Sequence, residues 1–169
     1  MLKRFLLSDL PSGSHIHFIG IGGISMSGLA QIMQSRGFKV TGSDLSDTHI
    51  TRHLKSLGIA VVKGHNKQNP VDADLCVYTA AIASDNPELI ACETNDILAI
   101  ERAVLLGELM KSYRCPVCVS GTHGKTTTTS MLSAVMLEAN LDPTIMLGGE
   151  LDLIGGNFCI GKDDYFLTE

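Results

Sequence analysis

The sequence predicts an α/β fold, with a parallel-sheet domain over residues 1–113 and the beginning of a second α/β domain over residues 114–169. Three observations carry this expectation. Short apolar runs alternate with amphipathic helical stretches along the chain, the pattern of strands and helices that build a parallel sheet. Two strand-to-helix junctions carry glycine-rich turns, at residues 20–28 and 121–127. Finally, a helix ends and a fresh strand begins at residues 113–116, leaving too short a remainder to close an α/β core of its own, so the second domain is expected to be incomplete.

The elements follow in order. Residues 15–21 are an apolar run ending in glycines, and residues 25–36 read as a helix closed by Gly37. Residues 39–43 form a second strand, residues 48–57 a helix closed by Gly58, and residues 59–63 a third strand. After a polar connection comes a strand at 75–79, then a helix at 87–94 opened by Asn86 and Pro87, and a short strand at 97–100. Residues 101–113 place apolar side chains at 105, 106, 109 and 110, one face of a helix. Beyond the boundary lie a strand at 117–120, a helix at 126–139, and strands at 144–147, 158–160 and 165–167.

Composition excludes several classes. The 169 residues are 44% hydrophobic and 18% charged, which suits a folded protein and argues against disorder. A net charge of −5 without a dense basic cluster argues against a nucleic-acid partner. The N-terminus has Lys3 and Arg4 but an apolar run of only residues 5–7, too short for a secretory signal. Residues 11–35 carry no Asp, Glu, Lys or Arg, yet two histidines, two glutamines and a midway glycine turn argue against membrane insertion. A cytoplasmic location is expected. The 5 cysteines, an odd number, read as reduced thiols; Cys115 and Cys118 fall on a strand and are expected to be buried, with no second pair to complete a zinc site. His49 and His53, four apart on a helix, read as an ordinary helix surface.

The loop Gly121-Thr122-His123-Gly124-Lys125-Thr126-Thr127 follows an apolar strand and opens a helix. There, loop amides and the positive helix end converge on an anion, and glycines let the backbone wrap close. Lys125 can reach the β and γ phosphates of a nucleoside triphosphate, and the Thr126 hydroxyl can ligate its Mg²⁺. The alternative is a glycine-containing turn with an exposed lysine. Against it, the four threonines at 126–129 are poor helix formers, so local stability does not explain them. The first turn, Gly20-Ile21-Gly22-Gly23-Ile24-Ser25-Met26-Ser27-Gly28, departs from GxGxxG at Ser25. Asp44 stands at the end of the second strand, where an acid that binds ribose belongs. On residues alone the turn suits either a nucleotide or dinucleotide site or a tight helix–strand packing contact.

The string from Gly121 to Thr129, with its shortened GxxGK[ST] form, closely resembles the ATP loop of the Mur ligases; His123 and the threonine run are most similar to the branch that joins L-alanine to UDP-N-acetylmuramate. The first glycine loop is similar to the one that binds the UDP diphosphate in that branch. Segments 42–44, 64–66, 78–82, 85–88 and 102–110 recur there in similar order. The resemblance implies a Rossmann-like UDP-sugar domain followed by the start of a P-loop-type ATPase domain. It implies substrate contacts at Gly22, Gly23, Met26, Ser27, Asp44, His65, Thr79 and Arg102. ATP and Mg²⁺ would be bound by residues 121–127, with Thr126 on the metal and Lys125 and His123 catalytic. It further implies that ATP phosphorylates the muramate carboxylate to an acyl phosphate, which the alanine amine attacks, as a step of peptidoglycan synthesis. Residues 165–169 would lead into an acidic segment whose glutamate helps ligate magnesium, in a chain that is the N-terminal part of a larger enzyme. Two other readings stay open: a Rossmann-type nucleotide-binding module, and a related ligase that loads a peptide. His65 could instead cap local backbone, Arg102 could be a solvated helix charge, and His123 could serve loop packing.

Overall fold

The computed structural model describes residues 5–169; the basic pair Lys3 and Arg4 lies outside them. Two compact units divide between Glu108 and Leu109.

The first unit contains β1 (His15–Ile19), α1 (Ile24–Ser35), β2 (Lys39–Asp44), α2 (His49–Ser56), β3 (Ala60–Lys63), β4 (Leu75–Tyr78), α3 (Pro87–Thr94) and β5 (Leu98–Glu101), after which α4 (Arg102–Met110) begins. The sheet has the order β3-β2-β1-β4-β5 with every pairing parallel. From β1 the chain winds outward through β2 to β3, then returns to β4 on the other side. That reversal opens a crevice at the carboxyl ends of β1 and β4, the place where doubly wound sheets bind ligands. Caps explain where helices start: Thr48 and Thr51 exchange side-chain and backbone hydrogen bonds at the head of α2, and the Asn86 side chain caps α3, with Pro87 at its first position. The uncharged stretch 11–35 is spent on β1, its glycine turn and α1, which buries Met26, Leu29, Ile32 and Met33. Among the described residues, no helix is long and apolar enough to cross a membrane.

β1 is buried throughout although it carries His15 and His17. The two rings are satisfied by a chain of contacts. His15 Nδ1 lies 2.8 Å from the Asp72 carbonyl, and Thr41 Oγ1 lies 2.8 Å from both His15 Nε2 and His17 Nδ1. Nδ1 of His15 therefore carries its proton. Burial lowers the pKa of His15 from 6.5 and keeps the ring neutral.

The second unit holds β6 (Cys115–Cys118), α5 (Lys125–Glu138), β7 (Thr144–Leu151), β8 (Gly156–Cys159) and β9 (Tyr165–Thr168) in the order β6-β9-β7-β8. Its core gathers Met136, Ile145, Leu147 and Leu167, and Tyr113 stacks tilted on Phe166 at 4.9 Å. The sheet is mixed: β8 runs antiparallel to β7, because a short turn at Asp152–Ile154 joins them and leaves no room for a crossover. One expectation is corrected here. Cys115 and Cys118 are exposed, not buried, since β6 is an edge strand that pairs, among the described residues, with β9 alone. His49 and His53 both lie on the exposed surface of α2.

Candidate functional site

Each unit places its glycine turn at the carboxyl end of a strand. In the first unit the turn hangs from β2: the amides of Gly20 and Ile21 both donate to the Ser43 carbonyl, at 2.8 and 3.0 Å. The Asp44 carboxylate then braces the loop, accepting from the Gly22 amide at 2.9 Å through Oδ2 and from the Ser46 amide at 2.9 Å through Oδ1. Gly22 is required by space: a Cβ there would stand 2.7 Å from Asp44 Oδ2 and 3.0 Å from Thr51 Cγ2. Gly23 caps α1. Across the crevice, Ile82 of the loop after β4 approaches Gly20.

The other residues implicated in substrate binding also sit at this end of the sheet. His65 follows β3, Thr79 follows β4, and Arg102 opens α4 after β5. Thr79 Oγ1 accepts from the Ala81 amide at 3.2 Å. Met26 and Ser27 turn inward: Met26 is buried, and the buried Ser27 hydroxyl donates to the Ile24 carbonyl at 2.8 Å. What the start of α1 can offer a diphosphate is therefore its first-turn amides and its positive end. A cavity of about 660 Å³ lies further along the sheet, between β4, α3 and β5, lined by Tyr78, Ile82, Leu89, Cys92 and Leu98 among others.

Beneath the crevice is a polar cluster that sequence reasoning missed. Glu88, in the first turn of α3, is fully buried. Its Oε2 accepts from Ser43 Oγ at 2.6 Å and lies 2.9 Å from His65 Nδ1, while Asn69 donates to Oε1. His17 Nε2 is buried without a hydrogen-bond partner among the described residues and lies 3.7 Å from Glu88 Oε1. Burial opposes ionisation of Glu88, but His17 beside it and the hydrogen bonds from Ser43 and Asn69 outweigh that, so the carboxyl is held at about 2, below its usual 4.5. A glutamate at a helix start reads in sequence as a favourable dipole partner, and nothing local betrays its partners on β1, β2 and the loop after β3.

In the second unit, Gly124 turns the chain into α5 at φ 75°, a left-handed conformation that suits glycine. Lys125 Nζ donates to the Gly121 carbonyl at 2.8 Å, and residues 121–124, His123 among them, are exposed. The Thr126 hydroxyl lies 2.8 and 3.0 Å from the two carboxylate oxygens of Glu169, and Oε1 also accepts from the Gly148 amide at 2.6 Å. A hydroxyl and a carboxylate brought together beside a lysine at a helix N-terminus make a hard-oxygen donor set that fits Mg²⁺. Glu169 was not singled out by number in the sequence; β9 delivers it. The threonine run divides by role: Thr126 faces Glu169, Thr127 and Thr128 are exposed, and buried Thr129 donates to the Lys125 carbonyl at 2.8 Å.

Comparison with known proteins adds sequence relationships to this geometry. Residues 15–114 match the family model described as Mur ligase family, catalytic domain. A UDP-N-acetylmuramate–L-alanine ligase of Clostridium botulinum (strain Kyoto / Type A2) is 59% identical over 155 residues, covering 92% of this chain and 34% of that protein. The corresponding ligase of Acetivibrio thermocellus is 59% identical over 168 residues, covering 99% of this chain and 36% of that protein. Among solved structures, the UDP-N-acetylmuramate–alanine ligase of Thermotoga maritima aligns with a TM-score of 0.82 at 36% identity, over 91% of this chain and 37% of that one. A UDP-N-acetylmuramate:L-alanyl-γ-D-glutamyl-meso-diaminopimelate ligase of Neisseria meningitides aligns with a TM-score of 0.83 at 30% identity, over 94% of this chain and 52% of that one. The chain thus spans about a third of the length of the curated relatives it matches.

Proposed function

We propose, for a chain that belongs to the Mur ligase family, that its parent protein is an ATP-dependent ligase joining L-alanine to UDP-N-acetylmuramate in peptidoglycan synthesis. The first unit is read as the UDP-sugar domain and the second as the beginning of the ATP domain. The observation that carries the ligase reading is the meeting of Lys125, Thr126 and Glu169 at the head of α5. A module that merely holds one nucleotide needs no second site of this kind.

The residues divide the work. The amides at the start of α1, braced by Asp44, bind the diphosphate of the sugar nucleotide. Arg102, His65 and Thr79 complete that site from the neighbouring strand ends. The loop 121–127 wraps the triphosphate, and Lys125 leaves the Gly121 carbonyl to meet phosphate oxygens. Thr126 and Glu169 would hold Mg²⁺, which supplies charge neutralisation to the transferring phosphoryl group when bound. His123, exposed on the loop, is placed to orient reacting groups. We propose the cytoplasm as the compartment.

Alanine is favoured over a peptide by the names and identities of the relatives: 59% to the alanine ligase of C. botulinum against 30% to the peptide ligase of N. meningitides. The test is phosphate release by the full-length parent with ATP, Mg²⁺ and UDP-N-acetylmuramate. Release that depends on L-alanine is expected; release that depends instead on an alanine-containing tripeptide would transfer the protein to the peptide-loading branch.

A further inference from the structure

The cluster around Glu88 goes beyond holding the fold together. His65 Nδ1 faces two oxygens, Glu88 Oε2 at 2.9 Å and Ser43 Oγ at 3.0 Å. The Ser43 hydroxyl already donates its proton to Glu88 Oε2 at 2.6 Å, so it has only lone pairs to offer the ring. A ring nitrogen between a carboxylate and such a hydroxyl must itself carry a proton. The orientation of the imidazole follows, and the nitrogen left over is Nε2. The His65 side chain is 10% exposed whereas that of Glu88 is fully covered, so the ring is the member of the pair that reaches the surface. The cluster is also tied to the glycine turn: Ser43 holds Glu88 through its side chain and the amides of Gly20 and Ile21 through its carbonyl, and the Asp44 carbonyl accepts from the Gly64 amide, next to His65, at 2.7 Å.

We propose that Glu88 is a positioning residue of the nucleotide site, holding His65 with its proton on Nδ1 so that Nε2 accepts a hydrogen bond from the bound uridine nucleotide. The inference rests on the UDP-sugar reading of the first unit. It is the logic by which a buried carboxylate fixes the tautomer of a histidine whose other nitrogen works at the surface. The remaining groups that face Glu88 complete the arrangement: Asn69 donates to Oε1, the Asn66 amide approaches Oε1 at 3.5 Å, and His17 lies behind. The first-turn amides of α3 add their positive end to these contacts.

Two measurements on the full chain test this. Nitrogen NMR of the imidazole rings at pH 8, with His65→Gln identifying the signal, reads the tautomer directly. A proton on Nδ1 alone is expected; a proton on Nε2 would overturn the proposal, and this reading needs no substitution at Glu88. Calorimetric titration with UDP then asks whether the two residues act as one. Glu88→Gln and His65→Gln are each expected to weaken UDP binding about tenfold. The double variant should be weaker than either single one by no more than about twofold, because one residue works through the other. Losses that multiply would show two independent roles and sink the proposal. Failure of the wild-type chain to bind UDP at all would instead overturn the nucleotide reading, whatever the tautomer.

Discussion

Lys125 donates to the carbonyl of Gly121 at 2.8 Å, so the cation lies back across the loop whose phosphate it is proposed to meet. A neutral carbonyl is a weak partner for an ammonium, and a triphosphate displaces it readily. In the full-length parent, Lys125→Ala is expected to lower kcat by about a hundredfold or more, since a cation acting on the transferring group matters most in the transition state. Affinity for the UDP-sugar should stay unchanged. Arg102→Ala should show the reverse, a raised KM with a milder loss of kcat. Steady-state kinetics and titration of the sugar nucleotide check both; wild-type turnover in Lys125→Ala would reduce residues 121–127 to a turn.

The Thr126–Glu169 pair predicts a metal phenotype. Thr126→Ala removes the hydroxyl that lies 2.8 Å from the Glu169 carboxylate. The Mg²⁺ concentration for half-maximal activity should rise about tenfold or more, and excess Mg²⁺ should recover much of the rate. Glu169→Gln should behave alike but recover less, because it removes charge as well as a ligand. An unchanged Mg²⁺ dependence in both variants would show that the metal sits elsewhere.

Gly22→Ala should destabilise the first unit. Its Cβ would stand 2.7 Å from Asp44 Oδ2, and neither the carboxylate nor Thr51 can withdraw without giving up a hydrogen bond or a packed position. Overpacking of this kind costs about 1–3 kcal/mol. Denaturant unfolding measures it, and UDP affinity should fall as well because the turn is displaced.

Acid should undo the first unit through Glu88. Its native carboxyl titrates at about 2 against 4.5 ordinarily, so the unfolded chain takes up this proton first as pH falls. The stabilisation is complete above about 4.5 and is lost on the way down to about 2, amounting to roughly 3 kcal/mol. Glu88→Gln should be less stable at pH 7 and show a flatter dependence across that window. Urea unfolding at a series of pH values reads both; parallel curves for wild type and variant would contradict the assignment.

Much of the fold was legible because its determinants are local. The apolar run of β1 stops at a glycine turn, and Asn86-Pro87 announces α3 at its first residue. Element ends moved by only a few residues, as helix and strand termini do. The polarity of β8 and the exposure of Cys115 and Cys118 were not legible, because an antiparallel return and an edge position depend on which strands become neighbours. The site divides in the same way. Lys125 and Thr126 are placed by spacing to the glycines of their own loop. Glu88 and Glu169 acquire their roles only through partners far away in sequence, at Ser43 and Thr126.

The pairing of β6 with β9 has a consequence for synthesis. Cys115 takes its ladder partner from Tyr165, and Val119, at the entrance to the phosphate loop, donates its amide to the Thr168 carbonyl. During translation the strand that carries the loop therefore leaves the ribosome with no neighbour to bind, and waits until nearly all of the second unit has followed. The first unit closes its sheet once β5 has emerged. Pairings so distant in sequence form slowly. A ribosome paused between α5 and β9 would hold a finished first sheet while the loop at 121–127 cannot yet take its shape.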